Sequence, residues 1–75
     1  MTTEEVRNLL HASPFVPFTI YVPADRAFRV EHPDFATLSR GGRILALSTE
    51  GDAFVLVDLM LATRIETHPP GLQAA

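Results

Sequence analysis

The sequence predicts a small, mostly β domain: one N-terminal α-helix followed by five to six short strands that curl into a barrel. Three observations carry this. The chain has 75 residues, room for one domain. Apolar positions fall on one helical face only near the start, and alternate at period two over residues 18–31 and again over 63–66. Turn chemistry (Pro23-Ala24-Asp25, Gly41-Gly42, Glu50-Gly51-Asp52) recurs at the short intervals typical of hairpins. An open antiparallel sheet with the helix on one face is the competing architecture.

Thr2 is a candidate N-cap with Glu5 three residues on, the spacing of a capping box, and Glu4 and Glu5 suit the positive end of the helix dipole. Val6, Leu9 and Leu10 share a face. Pro14 disfavours helical geometry at Ser13 and ends the helix. Roughly eleven residues make a helix too short to stand alone in water, so it must pack on the strands.

Phe18, Ile20 and Val22 alternate with Thr19 and Tyr21, and Phe28 and Val30 alternate with Ala27, Arg29 and Glu31. The segment Pro23-Ala24-Asp25-Arg26 between them reads as a tight turn. Pro14 and Pro17 stiffen the approach and stay out of the ladder. The run His32-Pro33-Asp34-Phe35 interrupts the second strand. A corner or single helical turn is expected there, with Asp34 capping it and Phe35 dipping into the core. Ala36 to Ser39 is a short strand, and Gly41-Gly42 suits a primed hairpin turn before the strand Ile44 to Ser48. Phe54 to Val57 is apolar without alternation, which predicts cover on both faces. Asp58 is placed to cap one helical turn in Asp58-Leu59-Met60-Leu61-Ala62, and Thr63-Arg64-Ile65-Glu66 alternates again. The folded domain is read as residues 1–67, with 68–75 a flexible tail opened by Pro69-Pro70-Gly71.

A chain of this length buries only about 60% of the surface its unfolded form exposes. Small domains commonly draw on disulfides, metals or oligomerisation for the rest. There is no cysteine, which excludes a disulfide and a thiolate metal site. His11, His32 and His68 lack ligand spacing, so neither metal nor cofactor is expected. Oligomerisation is the natural supplement. The formal net charge of −3 gives no whole-chain attraction to nucleic acid, and no DNA partner is expected. No apolar run approaches the ~20 residues of a membrane span. The first ten residues are acidic where a signal peptide is basic, so a cytoplasmic protein with no membrane partner is expected.

Chemistry-bearing motifs are sparse. His32 and Asp34 flank a proline, a spacing that favours a structural corner over an acid–base dyad. Glu50-Gly51-Asp52 is a turn, far short of the ligand set of a calcium loop. His11 stands at the helix C-terminus, where a cation or donor interacts with the dipole. No nucleophile with a base, phosphate-binding loop or dinucleotide loop is present, so an enzyme is not expected. The best anion-binding candidate is Arg40-Gly41-Gly42-Arg43, where two arginines flank a turn with exposed N–H groups. The densest apolar cluster, Val55, Val57, Leu59, Met60, Leu61 and Ile65, is the candidate self-association surface, because a terminal strand with surplus apolar area invites pairing with another copy.

A helical turn before a short final strand is a habit of SH3-like small barrels. The order of elements resembles the Sm-like barrel, in particular the Hfq-type proteins of bacteria. Residues 18–30 look like that family's first hairpin and residues 43–66 like its last three strands, a resemblance spanning residues 3–66. It implies homo-oligomeric rings, in which the fourth strand of one subunit pairs with the fifth of the next, and RNA binding. The family's tyrosine-lysine-histidine run falls at Val57-Asp58-Leu59 here, and its glutamine near the first helix has no counterpart among Thr2 to Asn8. The chain also resembles a group of small uncharacterised bacterial proteins in Pro14-Phe15-Val16-Pro17-Phe18-Thr19-Ile20, His32-Pro33-Asp34-Phe35 and the ending Val57-Asp58 through Thr63-Arg64-Ile65-Glu66. The reading is therefore a non-enzymatic homo-oligomeric or protein-interaction module, with an Hfq-type RNA-binding protein as the alternative.

Overall fold

The computed structural model describes residues 2–70. Helix α1 spans Thr3–Leu10 and opens with the expected capping box: the Glu5 N–H donates to the Thr2 hydroxyl at 3.2 Å, and the Thr2 N–H donates to the Glu5 carboxylate at 2.9 Å. It ends three residues short of Ser13, with His11 as its C-cap and the His11 N–H donating to the Arg7 carbonyl. The Ser13–Pro14 peptide is cis. Val6 and Leu10 are the helix's buried residues, and they join the core of the strands.

Six strands follow: β1 (Phe18–Val22), β2 (Arg26–Val30), β3 (Ala36–Leu38), β4 (Ile44–Ser48), β5 (Phe54–Asp58) and β6 (Arg64–Thr67). Single 3₁₀ turns at Pro33–Phe35 and Leu59–Leu61 interrupt them. The strands form two three-stranded antiparallel sheets, sheet A in the order β2-β1-β6 and sheet B in the order β3-β4-β5. The fold is thus mostly β with one N-terminal helix, as the pattern predicts. The strands do not close into one barrel: among the described residues no ladder joins sheet A to sheet B. Nor is there one open sheet. The order is that of a single meander in which β2 would run on into β3. The His32-Pro33-Asp34-Phe35 corner breaks the ladder there, since Pro33 has no N–H to donate.

Between the sheets lies one core built from Val6, Leu10, Phe18, Ile20, Val30, Leu45, Leu47, Val57 and Leu59. In register, Ile20 faces Phe28 on one side and Ile65 on the other, and Leu45 faces Val57. The period-two signal therefore marks the inner face of sheet A correctly.

The turns differ from expectation in instructive ways. Ala24 and Asp25 both have positive φ in the β1–β2 turn, a conformation unusual for alanine. In the β3–β4 turn the Ser39-to-Gly42 bond makes Arg40 and Gly41 the central residues, and neither has positive φ, so the turn is not a primed type; the left-handed residue is Gly42, at φ 78°, just after it. The Gly42 N–H instead donates to the Ser39 carbonyl at 2.9 Å, and the Thr3 hydroxyl donates to the Gly42 carbonyl at 2.7 Å. A Cβ at Gly42 would overlap the Thr3 side chain, so glycine lets the start of α1 seat on this turn.

At the corner, Phe35 is 50% exposed and does not dip into the core. It stacks obliquely on His32, with ring centroids 5.5 Å apart. The cap comes from His32, whose Nδ1 accepts from the Asp34 N–H at 3.1 Å, not from the Asp34 side chain. His68, read from sequence as the first tail residue, is held by sheet A: its N–H donates to the Pro17 carbonyl at 2.8 Å, and its Nε2 lies 2.8 Å from the Thr19 hydroxyl. The rest of the expected tail beyond Pro70 lies outside the described residues.

Candidate functional site

The candidate site is the outer side of β5 and the 3₁₀ turn that follows it. The run Phe54-Val55-Leu56-Val57 does not alternate in sequence, but it alternates in burial. Val57 is buried and Val55 packs against the core, while Phe54 and Leu56 point outward and are each 71% exposed. The expectation of cover on both faces is thus corrected: the outer face of β5 is bare. Beyond Asp58, Leu59 turns into the core, and Met60 and Leu61 remain 74% and 60% exposed. Of the six residues singled out for self-association, Val57 and Leu59 are core, Val55 and Ile65 are partly buried against it, and only Met60 and Leu61 stand on the surface. Phe54 and Leu56 escaped notice because an unbroken apolar run gives no phase. The signal was available in the partner strand. Ala46 and Ser48 of β4 are its small, outward residues and stand opposite Leu56 and Phe54.

Asp58 fixes the geometry at the end of β5. Its carboxylate accepts the Met60 N–H at 3.0 Å, the predicted cap of the 3₁₀ turn. The Arg43 guanidinium also grips it, with Nε at 3.2 Å from both carboxylate oxygens and Nη2 at 3.0 Å from Oδ2. The Leu59 N–H adds a backbone bond to the Arg43 carbonyl at 2.8 Å. The Arg43 hydrogen bonds, then the Met60 N–H, hold the Asp58 carboxyl below its ordinary value, and Asp58 in turn raises Arg43. This pairing spends the charge of one of the two arginines proposed for anion binding. Arg40 is exposed in the β3–β4 turn, and Arg43 serves the strand end.

Two adjoining clefts separate the open edges of the sheets. One, of 580 Å³, runs from Phe28 and Phe35 to Thr49 and Glu50. The other, of 270 Å³, is lined by Val22, Pro23, Phe28, Leu56, Asp58 and Leu61. Phe28 is common to both. Neither gathers an acid–base pair oriented on a common point. Among the described residues no group of three or more His, Cys, Asp or Glu side chains is placed to hold a metal ion. His32 Nδ1 and Asp34 Oδ2 are 3.6 Å apart on an exposed corner, and the Nδ1 lone pair is taken by the Asp34 N–H. No helix among the described residues is long and apolar enough to cross a membrane.

Compared with protein-family profiles, curated proteins and solved structures, the chain finds no match.

Proposed function

We propose that this protein is a non-enzymatic association module, working through the outer side of β5 and the turn at residues 59–61, foremost with copies of itself. The observation that carries the reading is the bare apolar surface of Phe54, Leu56, Met60 and Leu61 alongside an unpaired strand edge. Contiguous apolar surface beside free backbone donors and acceptors marks an interaction site. The small size of the domain and its lack of disulfides give association a stabilising role as well.

The strand order supports the likeness to SH3-like and Sm-like barrels, with β2 and β3 standing for one sharply bent strand. It does not bring the RNA site with it. Asp58 occupies the position of the family's basic pair and draws Arg43 to itself. An Hfq-type RNA-binding role rests on that likeness and on Arg40.

The test is native mass and light scattering of the purified chain across dilution and salt. A concentration-dependent mass above the 8.2 kDa of one chain is expected, and Met60→Ser with Leu61→Ser should weaken it. A monomer at every concentration, or turnover in a broad hydrolase and phosphatase panel, overturns the reading. Salt-sensitive binding of single-stranded RNA that falls with Arg40→Ala moves it to the alternative.

A further inference from the structure

The two sheets leave four open edges, and these are not equally protected. Natural proteins guard free edges with charged side chains or by making the edge strand very short. On sheet A, β2 carries Arg26 and Arg29, and β6 carries Arg64 and Glu66. On sheet B, β3 is only three residues long. β5 has none of these devices. Its first four residues are Phe-Val-Leu-Val, and its one charge, on Asp58, is neutralised within the chain by Arg43.

The backbone of β5 also points the right way. Its ladder with β4 is flanked by hydrogen bonds from the Thr49 N–H to the Ala53 carbonyl and from the Leu59 N–H to the Arg43 carbonyl. Bonded and non-bonded pairs alternate along an antiparallel ladder. The residues bonded to β4 are therefore Val55 and Val57. The N–H and C=O groups of Phe54, Leu56 and Asp58 face the open edge, from the same three residues whose side chains stand on the outer face.

Resting on the association reading above, we infer that β5 pairs antiparallel with β5 of a second copy about a two-fold axis at Leu56, joining the two sheets B into one six-stranded sheet. In this register all five residues of the strand find a partner. Leu56 faces its own counterpart, and Phe54 of one copy lies opposite Asp58 of the other. That position is beside Leu61, at the mouth of the 270 Å³ cleft, which offers the second copy's Phe54 an apolar seat. The surfaces match in charge because each is neutral: two copies meet without bringing unpaired like charges together. The pairing also covers apolar surface. Phe54 and Leu56, each 71% exposed in the single chain, come to lie beside their counterparts on one face of the joined sheet, and their flanks are covered. The main-chain ladder between the two five-residue strands supplies the rest of the contact.

The chain has no cysteine, so one introduced thiol reports directly on this geometry. A bonded antiparallel pair has Cα atoms about 5.5 Å apart, inside the ~4.4–6.8 Å window of a disulfide. The experiment compares Leu56→Cys and Arg29→Cys under mild oxidation, alongside native mass of the unmodified chain and of Leu56→Lys. The expected result is a dimer of twice 8.2 kDa and near-complete cross-linking of Leu56→Cys. Arg29→Cys should show none, and Leu56→Lys should be monomeric with an unchanged circular dichroism spectrum. A ring of five to seven copies, or a dimer in which Leu56→Cys cross-links no better than Arg29→Cys, overturns the two-fold pairing and leaves the association reading standing. A monomer at every concentration removes both.

Discussion

The outer faces of the two sheets treat exposed residues in opposite ways. On sheet A, every outward side chain with a large apolar body has a polar partner. The Tyr21 hydroxyl donates to Glu66 at 2.7 Å, Arg64 stacks on the Tyr21 ring at 4.0 Å, and Arg64 meets Glu66 at 3.3 Å. Thr19 engages His68 on the same face. On sheet B the outward row of Ile44, Ala46, Phe54 and Leu56 has no such covering, and its one ion pair sits at the strand end. Both sheets share the same core, so the contrast says nothing about folding. It separates a face whose exposed side chains are tied to polar partners from one whose apolar side chains stand bare.

The largest expected effect tests this separation with one residue type. Phe18 is fully buried and Phe54 is 71% exposed. Phe18→Ala is expected to lose about 3–5 kcal/mol, enough to unfold a domain this small. Phe54→Ala is expected to stay within about 0.5 kcal/mol for the single chain. Urea denaturation at low protein concentration measures both. Comparable losses would mean that sheet B's outer face is structural after all.

A smaller effect is expected at Gly42, which joins α1 to sheet B. Gly42→Ala forces a left-handed alanine and overlaps Thr3, for an expected loss of about 2–4 kcal/mol. Thr3→Ser keeps the hydroxyl donor and removes the methyl that a new Cβ would meet. Added to Gly42→Ala, it is expected to recover part of the loss in thermal melts. No recovery would place the whole effect in the backbone.

The smallest effect is expected on the acid limb. Asp58 is held below its ordinary value of 3.8 in the folded chain. A depressed carboxyl adds stability that is present above the unfolded value and disappears as pH falls through the folded one. The gap in melting temperature between the natural chain and Asp58→Asn should therefore hold steady from pH 7 to about pH 5 and close below about pH 4. A gap that persists at about pH 2 would show that the Arg43 pair does not lower this carboxyl.

How much of this was legible in the sequence follows from the physics of each element. The capping box at Thr2 and Glu5, the cap at Asp58 and the inner faces of β1 and β2 were readable because local hydrogen bonding and period two are written in neighbouring residues. The separation into two sheets was not. It depends on whether the chain continues its ladder past Pro33, a question of long-range pairing. Phe35 was misplaced because an aromatic after a turn signals burial only if the turn aims inward, and here it packs on His32. The pairing of Arg43 was not legible at Arg40-Gly41-Gly42-Arg43 because its partner, Asp58, stands fifteen residues on. The bare face of β5 was hidden by a run of four apolar residues whose phase only the partner strand could set.

The short passage from β5 to β6 works as a strut. Of its five residues, Leu59, Met60, Ala62 and Thr63 each donate their N–H within the protein, to Arg43, Asp58, Leu59 and Tyr21 in turn. A segment so tied has little slack. Whatever docks on β5 grips a lever whose far end is β6 and the polar face beside it. Two molecules joined there would display their charged faces at a fixed mutual angle, as a rigid bracket.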